Sequence, residues 1–213
     1  MKKVLISLLL ICTASFALSL DDVRKGLKTS SISEDSLEMK FKTTITSPMI
    51  GSQTMDTYSV RKGPNKVYFE MTNKLLSQRM ILSGNKIKII DLKNKSEKIV
   101  NNNAQIQKMM QSPNSNPMEK GNWKEPELVS GNLYRIEGDS ATIYYDASKK
   151  HLVKMEQVTD KANTLTTFEY NPSTKMMSAM KISVMVGNQE TKIEMVFSKY
   201  QNSKNFSDKV FDF

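Results

Sequence analysis

Few residues in this sequence of 213 could carry catalytic or metal chemistry, because it has one cysteine, Cys12, and one histidine, His151. A Ser-His-Asp triad or a typical zinc site would need His151. No second metal-ligating residue lies at a ligand-like spacing from it, so we interpret His151 as a surface histidine in the turn before a strand. The sequence also has no glycine-rich phosphate loop. We therefore expect no enzyme, with no catalytic residues, no metal site and no cofactor.

The N-terminal residues have the three parts of a secretory signal peptide. Residues 2–3 are basic, residues 4–11 form an apolar run, and Ala17 and Ser19 supply small side chains at alternate positions. The apolar run is shorter than the roughly 20 residues that cross a bilayer as a helix. We predict that residues 1–19 are removed during export, with cleavage after Ala17 as the alternative. The mature protein is then expected to be periplasmic and monomeric.

Cys12 lies inside this segment, so the mature chain would have no thiol for disulfides, cysteine catalysis or thiolate metal sites. Lipid anchoring at Cys12 is a second interpretation, because residues 9–12 (LLIC) loosely resemble the bacterial lipobox. The lipobox has a small residue before the cysteine, whereas this sequence has the large, branched Ile11. We therefore favour cleavage without lipid attachment.

The elements that would position binding residues are mostly strands. Residues 20–29 have a helical spacing of apolar side chains and begin with Asp21 and Asp22, which favour a helix N-terminus. From residue 37 onward, apolar and polar residues alternate in short segments separated by Gly, Pro and Asn, a pattern typical of antiparallel hairpins. The pattern predicts a mainly β domain over residues 20–213 with about eleven strands, and a sheet of that size tends to curl.

The charge of the chain predicts little about partners. The formal net charge is +9, from 31 Lys and Arg against 22 Asp and Glu. A basic surplus can attract nucleic acid or an anionic membrane surface. Here the lysines are scattered along the chain and alternate with apolar residues, as on the solvated face of a strand. We therefore expect no nucleic-acid partner.

Residues 101–131 interrupt the strand pattern and contain three prolines. A stretch of about thirty residues with so little strand pattern is often a lid or a binding loop. We predict that residues 104–123 move over a binding site, with an interdomain linker as the alternative. The predicted lid residues are Ile106, Met109, Met110 and Trp123.

Methionine is the apolar side chain in excess, with 15 copies. Its flexible, polarizable side chain suits surfaces that adapt to variable apolar ligands, but it also fills ordinary cores. The methionine content alone therefore favours neither a ligand cavity nor a plain core.

Six fragments, taken in their order, connect the chain to a known family. They are residues 58–70 (YSVRKGPNKVYFE), 83–85 (SGN), 91–93 (DLK), 144–146 (YYD), 152–155 (LVKM) and 205–213 (NFSDKVFDF). In this order they resemble the LolA-like outer-membrane lipoprotein-sorting proteins. The resemblance implies an incomplete antiparallel β-barrel, with short helices over its open side and an apolar cavity between them.

The resemblance further implies that the cavity binds the acyl chains of lipoproteins or similar lipids. An inner-membrane release complex and an outer-membrane receptor would be its partners. Lys62 approximates the basic residue that some family members have before a Pro-Asn step, and we place it at the cavity rim. The expected cavity wall is the apolar side of the alternating strands, namely Phe41, Ile45, Tyr58, Phe69, Met80, Leu82, Tyr145, Met155, Met195 and Phe197.

Two alternatives accompany this interpretation. The ten wall residues could instead be core residues sealed under helices. In that case the protein would be a non-enzymatic envelope sensor or scaffold domain of the same fold, with the cavity filled by its own side chains.

Overall fold

The computed structural model describes residues 18–30, 36–63, 65–101, 117–119, 121–202 and 206–213. Helix α1 spans Leu20–Ser30, and two short 3₁₀ helices span Pro117–Glu119 and Asp208–Phe211. No helix among the described residues is long and apolar enough to cross a lipid bilayer. The strands are β1 (Leu37–Ser47), β2 (Gly51–Arg61), β3 (Lys66–Thr72), β4 (Ser77–Ser83), β5 (Lys86–Asp91), β6 (Ser96–Asn101), β7 (Glu127–Ser130), β8 (Leu133–Glu137), β9 (Thr142–Asp146), β10 (His151–Val158), β11 (Asn163–Tyr170), β12 (Met177–Val186) and β13 (Gln189–Asn202).

All thirteen strands form one antiparallel sheet in the order β6-β5-β4-β3-β2-β1-β13-β12-β11-β10-β9-β8-β7. Sequential strands pair as hairpins within each half of the chain, and the pairing of β1 with β13 joins the two halves. Strands β6 and β7 lie at the two edges and do not pair with each other, so the sheet is not closed into a barrel. This confirms the predicted fold class, a mainly β protein with an incomplete antiparallel barrel.

The number of strands is larger than predicted. The sequence pattern indicated about eleven strands, and the two additional ones are the edge strands β6 and β7. Every residue of β7 is exposed, and only one residue of β6 is even partly buried. Because neither strand has a buried face, neither shows the apolar alternation that reveals a strand in the sequence.

Helix α1 begins at Leu20 because Ser19 caps it. The Ser19 hydroxyl accepts a hydrogen bond from the backbone N–H of Asp22 (3.2 Å), and the Asp22 carboxylate accepts one from the backbone N–H of Ser19 (3.2 Å). This reciprocal arrangement is a capping box. Cleavage after Ser19 would remove the cap, whereas cleavage after Ala17 would retain it.

The strand register sorts side chains onto two faces of the sheet, because directly opposed residues of an antiparallel pair point to the same side. The helix face is the one that packs against α1, where Val23 and Leu27 contact the buried side chains of β8, β9 and β10. One row on this face crosses six strands, and it consists of Ile143, Met155, Thr166, Ile182, Ile193 and Ile45.

The other face is the C-terminal face, which packs against residues 206–211. Phe211 is 1% exposed and contacts Val60 and Ile81 of this face. Beside it, the Asp208 carboxylate lies 2.6 Å from the Lys62 amine and 3.3 Å from the Lys66 amine. Hydrogen bonds from these two amines lower the pKa of Asp208. The end of the chain is therefore fixed to the sheet by one buried aromatic ring and one exposed cluster of charges.

Phe211→Ala should lower the free energy of unfolding by about 3–5 kcal/mol, the usual cost of removing a buried aromatic ring. Phe213→Ala is the matched control, because Phe213 is 45% exposed, and it should change stability by less than about 0.5 kcal/mol. Urea denaturation of both variants measures these values. Equal stabilities for the two variants would show that the C-terminal segment does not support the sheet.

Candidate ligand-binding pocket

A pocket of about 520 Å³ lies on the helix face, between strands β10 to β12 and the segment around Trp123. Its volume falls within the usual range for small-molecule sites, about 300–1,000 Å³. The residues that line it are Pro117, Gly121, Trp123, Ser140, Ala141, Leu152, Met155, Gln157, Thr164, Thr166, Phe168, Tyr170, Met180 and Ile182.

The strand register explains why these side chains meet. Met155 of β10 is opposite Thr166 of β11, and Thr166 is opposite Ile182 of β12. Two residues along β11, Phe168 is opposite Met180. Because side chains two residues apart share a face, both rows point into the same space. The alternation visible in the sequence thus builds the pocket floor directly.

The lining has apolar and polar parts but no formal charge among the described residues at neutral pH. The middle is apolar, with Met155, Phe168 and Met180. Gln157 and Thr164 form an opposed pair near one end of these strands and add neutral polar groups there. A pocket of this kind suits a mainly apolar ligand with an uncharged polar portion.

Trp123 forms one side of the pocket and is held in place by the turn between β8 and β9. It makes an isolated β-bridge with Gly138, and the backbone N–H of Lys124 donates to the carbonyl of Glu137 (2.8 Å). A Cβ atom on Gly138 would come within 2.7 Å of the indole ring. Glycine at position 138 therefore allows the indole ring to lie directly against the backbone.

The lid prediction is only partly addressed by the structure. Ile106, Met109 and Met110 lie outside the described residues. Trp123 lines the pocket, and its backbone is tied to β8, so it is part of the pocket wall. Movement of residues that precede it stays a prediction.

The predicted surface position of His151 is wrong, because its side chain is only 6% exposed. Its ring stacks on Tyr170, with ring centroids 3.9 Å apart and an angle of 15° between the planes. Burial lowers the pKa of His151 and raises that of Tyr170. The Nδ1 atom of His151 has no hydrogen-bond partner among the described residues. Tyr170 also lines the pocket, so the stack lies beside it, a position that the sequence did not predict.

Nine of the ten predicted wall residues lie on the helix face, as the strand pairings show. They do not all line one pocket. Met155 borders the pocket, Tyr145 packs under α1, and Phe41, Met195 and Phe197 belong to a cluster around β1, β12 and β13. The remaining four are Ile45 beside Ile193, and Phe69, Met80 and Leu82 in a cluster on β3 to β5.

Tyr58 is the exception, because it lies on the C-terminal face. It packs near Phe211, and its hydroxyl donates to the carboxylate of Glu38 at 3.0 Å. Burial and this contact with Glu38 raise the pKa of Tyr58 to about 12. Tyr58 therefore cannot line the same surface as the other nine residues.

Lys62 also takes a position that the sequence did not indicate. Its amine pairs with Asp208 of the C-terminal segment at 2.6 Å. It lies in the turn between β2 and β3 and does not line the pocket. Its role at a cavity rim is therefore not supported by the geometry.

Sequence reasoning missed Phe168, Met180 and Ile182 as pocket residues. All three lie on strands with clear alternation, so the signal was present in the sequence. What the sequence could not provide was the packing that brings the segment around Trp123 against β10, β11 and β12.

The described residues contain no group of three or more His, Cys, Asp or Glu side chains that could hold a metal ion. The described residues that line the pocket offer apolar contact and neutral hydrogen bonding.

Comparison with known proteins identifies the fold. No protein-family model matches the sequence, and no curated protein matches it. A LolA superfamily protein from Nitrosomonas europaea is 10% identical, with a TM-score of 0.59 over 92% of this chain and 99% of that chain. A domain proposed to be an outer membrane lipoprotein-sorting protein, from Vibrio parahaemolyticus, is 10% identical, with a TM-score of 0.56 over 90% of this chain and 95% of that chain.

A DUF1329 family protein from Desulfovibrio piger is 9% identical, with a TM-score of 0.57 over 90% of this chain and 95% of that chain. At such low identity, these similarities show the fold alone. The chain has a LolA-like fold, and the resemblance found in the sequence is confirmed at that level.

The buried His151 predicts a pH dependence of stability. The unfolded chain titrates this imidazole near its ordinary pKa of about 6.5, whereas burial lowers the pKa in the folded state. Below about pH 6.5 the unfolded state therefore binds the proton more readily. The stabilising contribution is complete above that pH and is lost as the pH falls toward the folded-state pKa.

His151→Phe keeps an aromatic ring against Tyr170 and cannot be protonated. Between about pH 7.5 and about pH 5, wild type should lose more of its free energy of unfolding than this variant. Urea denaturation at the two pH values measures the difference. Parallel losses in the two proteins would mean that His151 is not buried in its neutral form.

Proposed function

We propose that this protein is a periplasmic carrier that binds an acyl chain of a lipoprotein or a similar lipid in the pocket on the helix face. The observation that carries the proposal is the lining of that pocket, which is largely apolar, rich in flexible side chains and free of formal charge among the described residues. An acyl chain needs an apolar surface and no specific charged partner. No covalent step is needed.

The expected affinity suits a carrier. Each buried methylene contributes about 0.8 kcal/mol, so about ten of them give roughly 8 kcal/mol before costs. Binding costs of about 4–15 kcal/mol offset most of this gain. The net affinity is therefore modest, and a cargo that must be handed on benefits from weak retention.

Methionine contributes adaptability to the site. Met155 and Met180 lie on adjacent rows of the pocket floor, and both side chains can change rotamer at little cost. Such a floor can follow chains of different length or branching. This feature favours a carrier with a range of related cargoes over a site for one rigid ligand.

The comparisons support a role in lipoprotein transport. The similar domain from Vibrio parahaemolyticus is itself proposed to be an outer membrane lipoprotein-sorting protein. By analogy, an inner-membrane release complex would load this chain and an outer-membrane receptor would unload it. Export directed by the signal peptide that the sequence predicts over residues 1–19 would bring the chain to the periplasm, between these two partners.

A scaffold or sensor of the same fold is the second candidate. The observation that favours it is the cluster on β3 to β5, where Ile87 is fully buried and Met80 and Leu82 are each 4% exposed. The helix face of these strands is filled by the protein's own side chains. If the pocket were equally full in solution, the fold would serve recognition of other envelope proteins.

A pair of variants separates the pocket from the rest of the sheet. Met155→Asp places a charge in the pocket and should weaken binding of a fluorescent fatty-acid probe by at least about tenfold. Leu165→Asp is the matched control, because Leu165 lies on the C-terminal face of the adjacent strand and is 39% exposed. It should leave binding unchanged within about twofold.

Trp123 provides an independent readout of the same experiment. It is the only tryptophan in the chain and lines the pocket, so its emission should shift when the probe binds wild type and the Leu165→Asp variant. Equal probe affinity in wild type and the Met155→Asp variant would contradict the carrier function at this pocket.

A further inference from the structure

Strand β11 sets the length of the pocket floor. Thr164, Thr166, Phe168 and Tyr170 of this strand all line the pocket. Six residue steps separate the first from the last, which at about 3.3 Å per residue is roughly 20 Å. The hydrocarbon core of a bilayer is about 30 Å thick and contains two layers of chains, so one membrane acyl chain spans about 15 Å. A single chain of this kind therefore fits along β11.

The volume of the pocket also corresponds to one chain. An apolar cavity of about 150 Å³ holds one benzene molecule, which is about 25 Å³ per carbon atom. At that density, the pocket of about 520 Å³ holds about 20 carbon atoms. Two chains of about 16 carbons would need about 800 Å³, and three would need about 1,200 Å³. The pocket has room for one such chain and the group to which it is attached.

The width of the pocket follows from its volume and its length. A volume of about 520 Å³ over roughly 20 Å gives a mean cross-section of about 25 Å². An acyl chain of about 16 carbons that spans about 15 Å has a similar cross-section. Two chains lying side by side would need about twice this width.

Packed side chains border the pocket floor on both sides. On the side of β9, Tyr145 is 2% exposed beneath α1. On the side of β13, Met195 is opposite the floor residue Met180. Met195 packs in the cluster where the rings of Phe41 and Phe197 have centroids 5.2 Å apart. A second chain beside the first would have to displace one of these clusters.

Hydrogen bonds on both sides of Trp123 hold the wall of the pocket in place. The backbone N–H of Asp139 donates to the carbonyl of Asn122 (3.2 Å). The Asp139 carboxylate accepts from the backbone N–H (3.1 Å) and the side-chain amide (3.0 Å) of Asn122. On the other side, the backbone N–H of Lys124 donates to the carbonyl of Glu137 (2.8 Å). These bonds resist a widening of the pocket by movement of the indole ring.

Neutral polar groups of the lining lie together at one end of the floor. Gln157 and Thr164 form an opposed pair there, and the turn between β8 and β9 brings Ser140 to the same end. Such groups can hydrogen-bond the ester or amide that joins an acyl chain to its headgroup. Leu152, which is 9% exposed, lies at the other end and suits the methyl end of the chain.

We propose that the cargo of this pocket is a single-chain lipid, with one acyl chain of up to about 16–18 carbons joined to its headgroup through an ester or an amide. Lipids with two or three long chains do not fit the length, volume and width together. The inference rests on the proposed carrier function and names the class of lipid that the same pocket takes. Lysophospholipids and peptides with one acyl chain share this chemistry.

A matched pair of lipids tests the number of chains in the wild-type protein. Lysophosphatidylcholine with one sixteen-carbon chain and phosphatidylcholine with two eight-carbon chains have the same headgroup and the same number of acyl carbons. Each is added, below its critical micelle concentration, to protein that holds the fluorescent fatty-acid probe. Because only one of the two short chains would fit along the floor, the single-chain lipid should displace the probe at a concentration at least about tenfold lower.

A series of lysophosphatidylcholines with ten to twenty carbons tests the length of the pocket. Affinity should rise by up to about fourfold per methylene and level off near about 16–18 carbons. Phe168→Ala removes a ring from the lining and should move this limit to chains longer by roughly two to six carbons. Phe197→Ala is the matched control, because Phe197 lies on the same face outside the pocket lining, and it should leave the limit unchanged.

The headgroup distinguishes the two sources of a single-chain lipid. A peptide with one palmitoyl chain on its N-terminal cysteine is compared with lysophosphatidylcholine of the same chain length in the displacement assay. Tighter binding of the peptide assigns the cargo to lipoproteins, tighter binding of the lysophospholipid assigns it to phospholipids, and both results support one chain.

Two results would overturn the inference and leave the carrier function standing. They are equal displacement by the single-chain and two-chain lipids, and an affinity that rises with an unchanged slope up to twenty carbons. Both are measured on wild type, so they do not depend on the stability of Phe168→Ala. If neither the probe nor any of these lipids binds, the carrier function fails, and the inference fails with it.

Discussion

The pairing of β1 with β13 is the interaction on which the rest of the structure depends. Each half of the chain is a meander of hairpins, and this pair alone joins the meanders into one sheet. It places Ile45 opposite Ile193, which continues the helix-face row from β9 to β1. Without it, neither half would have a partner along one edge. A sheet joined in this way has two free edges, and its broad helix face can be partly covered by α1 and partly left as a pocket.

The pocket differs from the core beside it because α1 covers the core but does not cover the pocket. Helix α1 buries Ile136, Ile143 and Tyr145 of β8 and β9, and Gly26 lets it approach the Tyr145 ring more closely than any side chain would permit. The floor formed by β10 to β12 continues beyond this contact and meets Trp123 across an open space. Among the described residues, α1 covers only part of the helix face, and the pocket lies on a part that α1 does not cover.

The sequence predicted most of the fold because alternation is a local property. Sequence reasoning missed β6 and β7, because neither strand has a buried face. It also misplaced His151, because the burial of this residue depends on Tyr170 of another strand. Tyr58 was misplaced for a different reason. Alternation along a strand shows which residues share a face of the sheet, but it does not show which other element packs on that face. In β2 the more apolar set lies under the C-terminal segment, and Thr57 and Ser59 point to the helix face. The partner of Lys62 is equally non-local, because Asp208 is 146 residues away.

The central claim is that the pocket on the helix face holds an acyl chain while the protein crosses the periplasm. The most direct measurement is mass spectrometry of solvent extracts from the protein purified out of its own host, compared between wild type and Met155→Asp. We predict that an acyl-bearing lipid or lipopeptide is recovered with wild-type protein, and that several times less of it is recovered with the variant. A folded wild-type protein without bound lipid, or the same lipid in equal amount in both proteins, would contradict the claim.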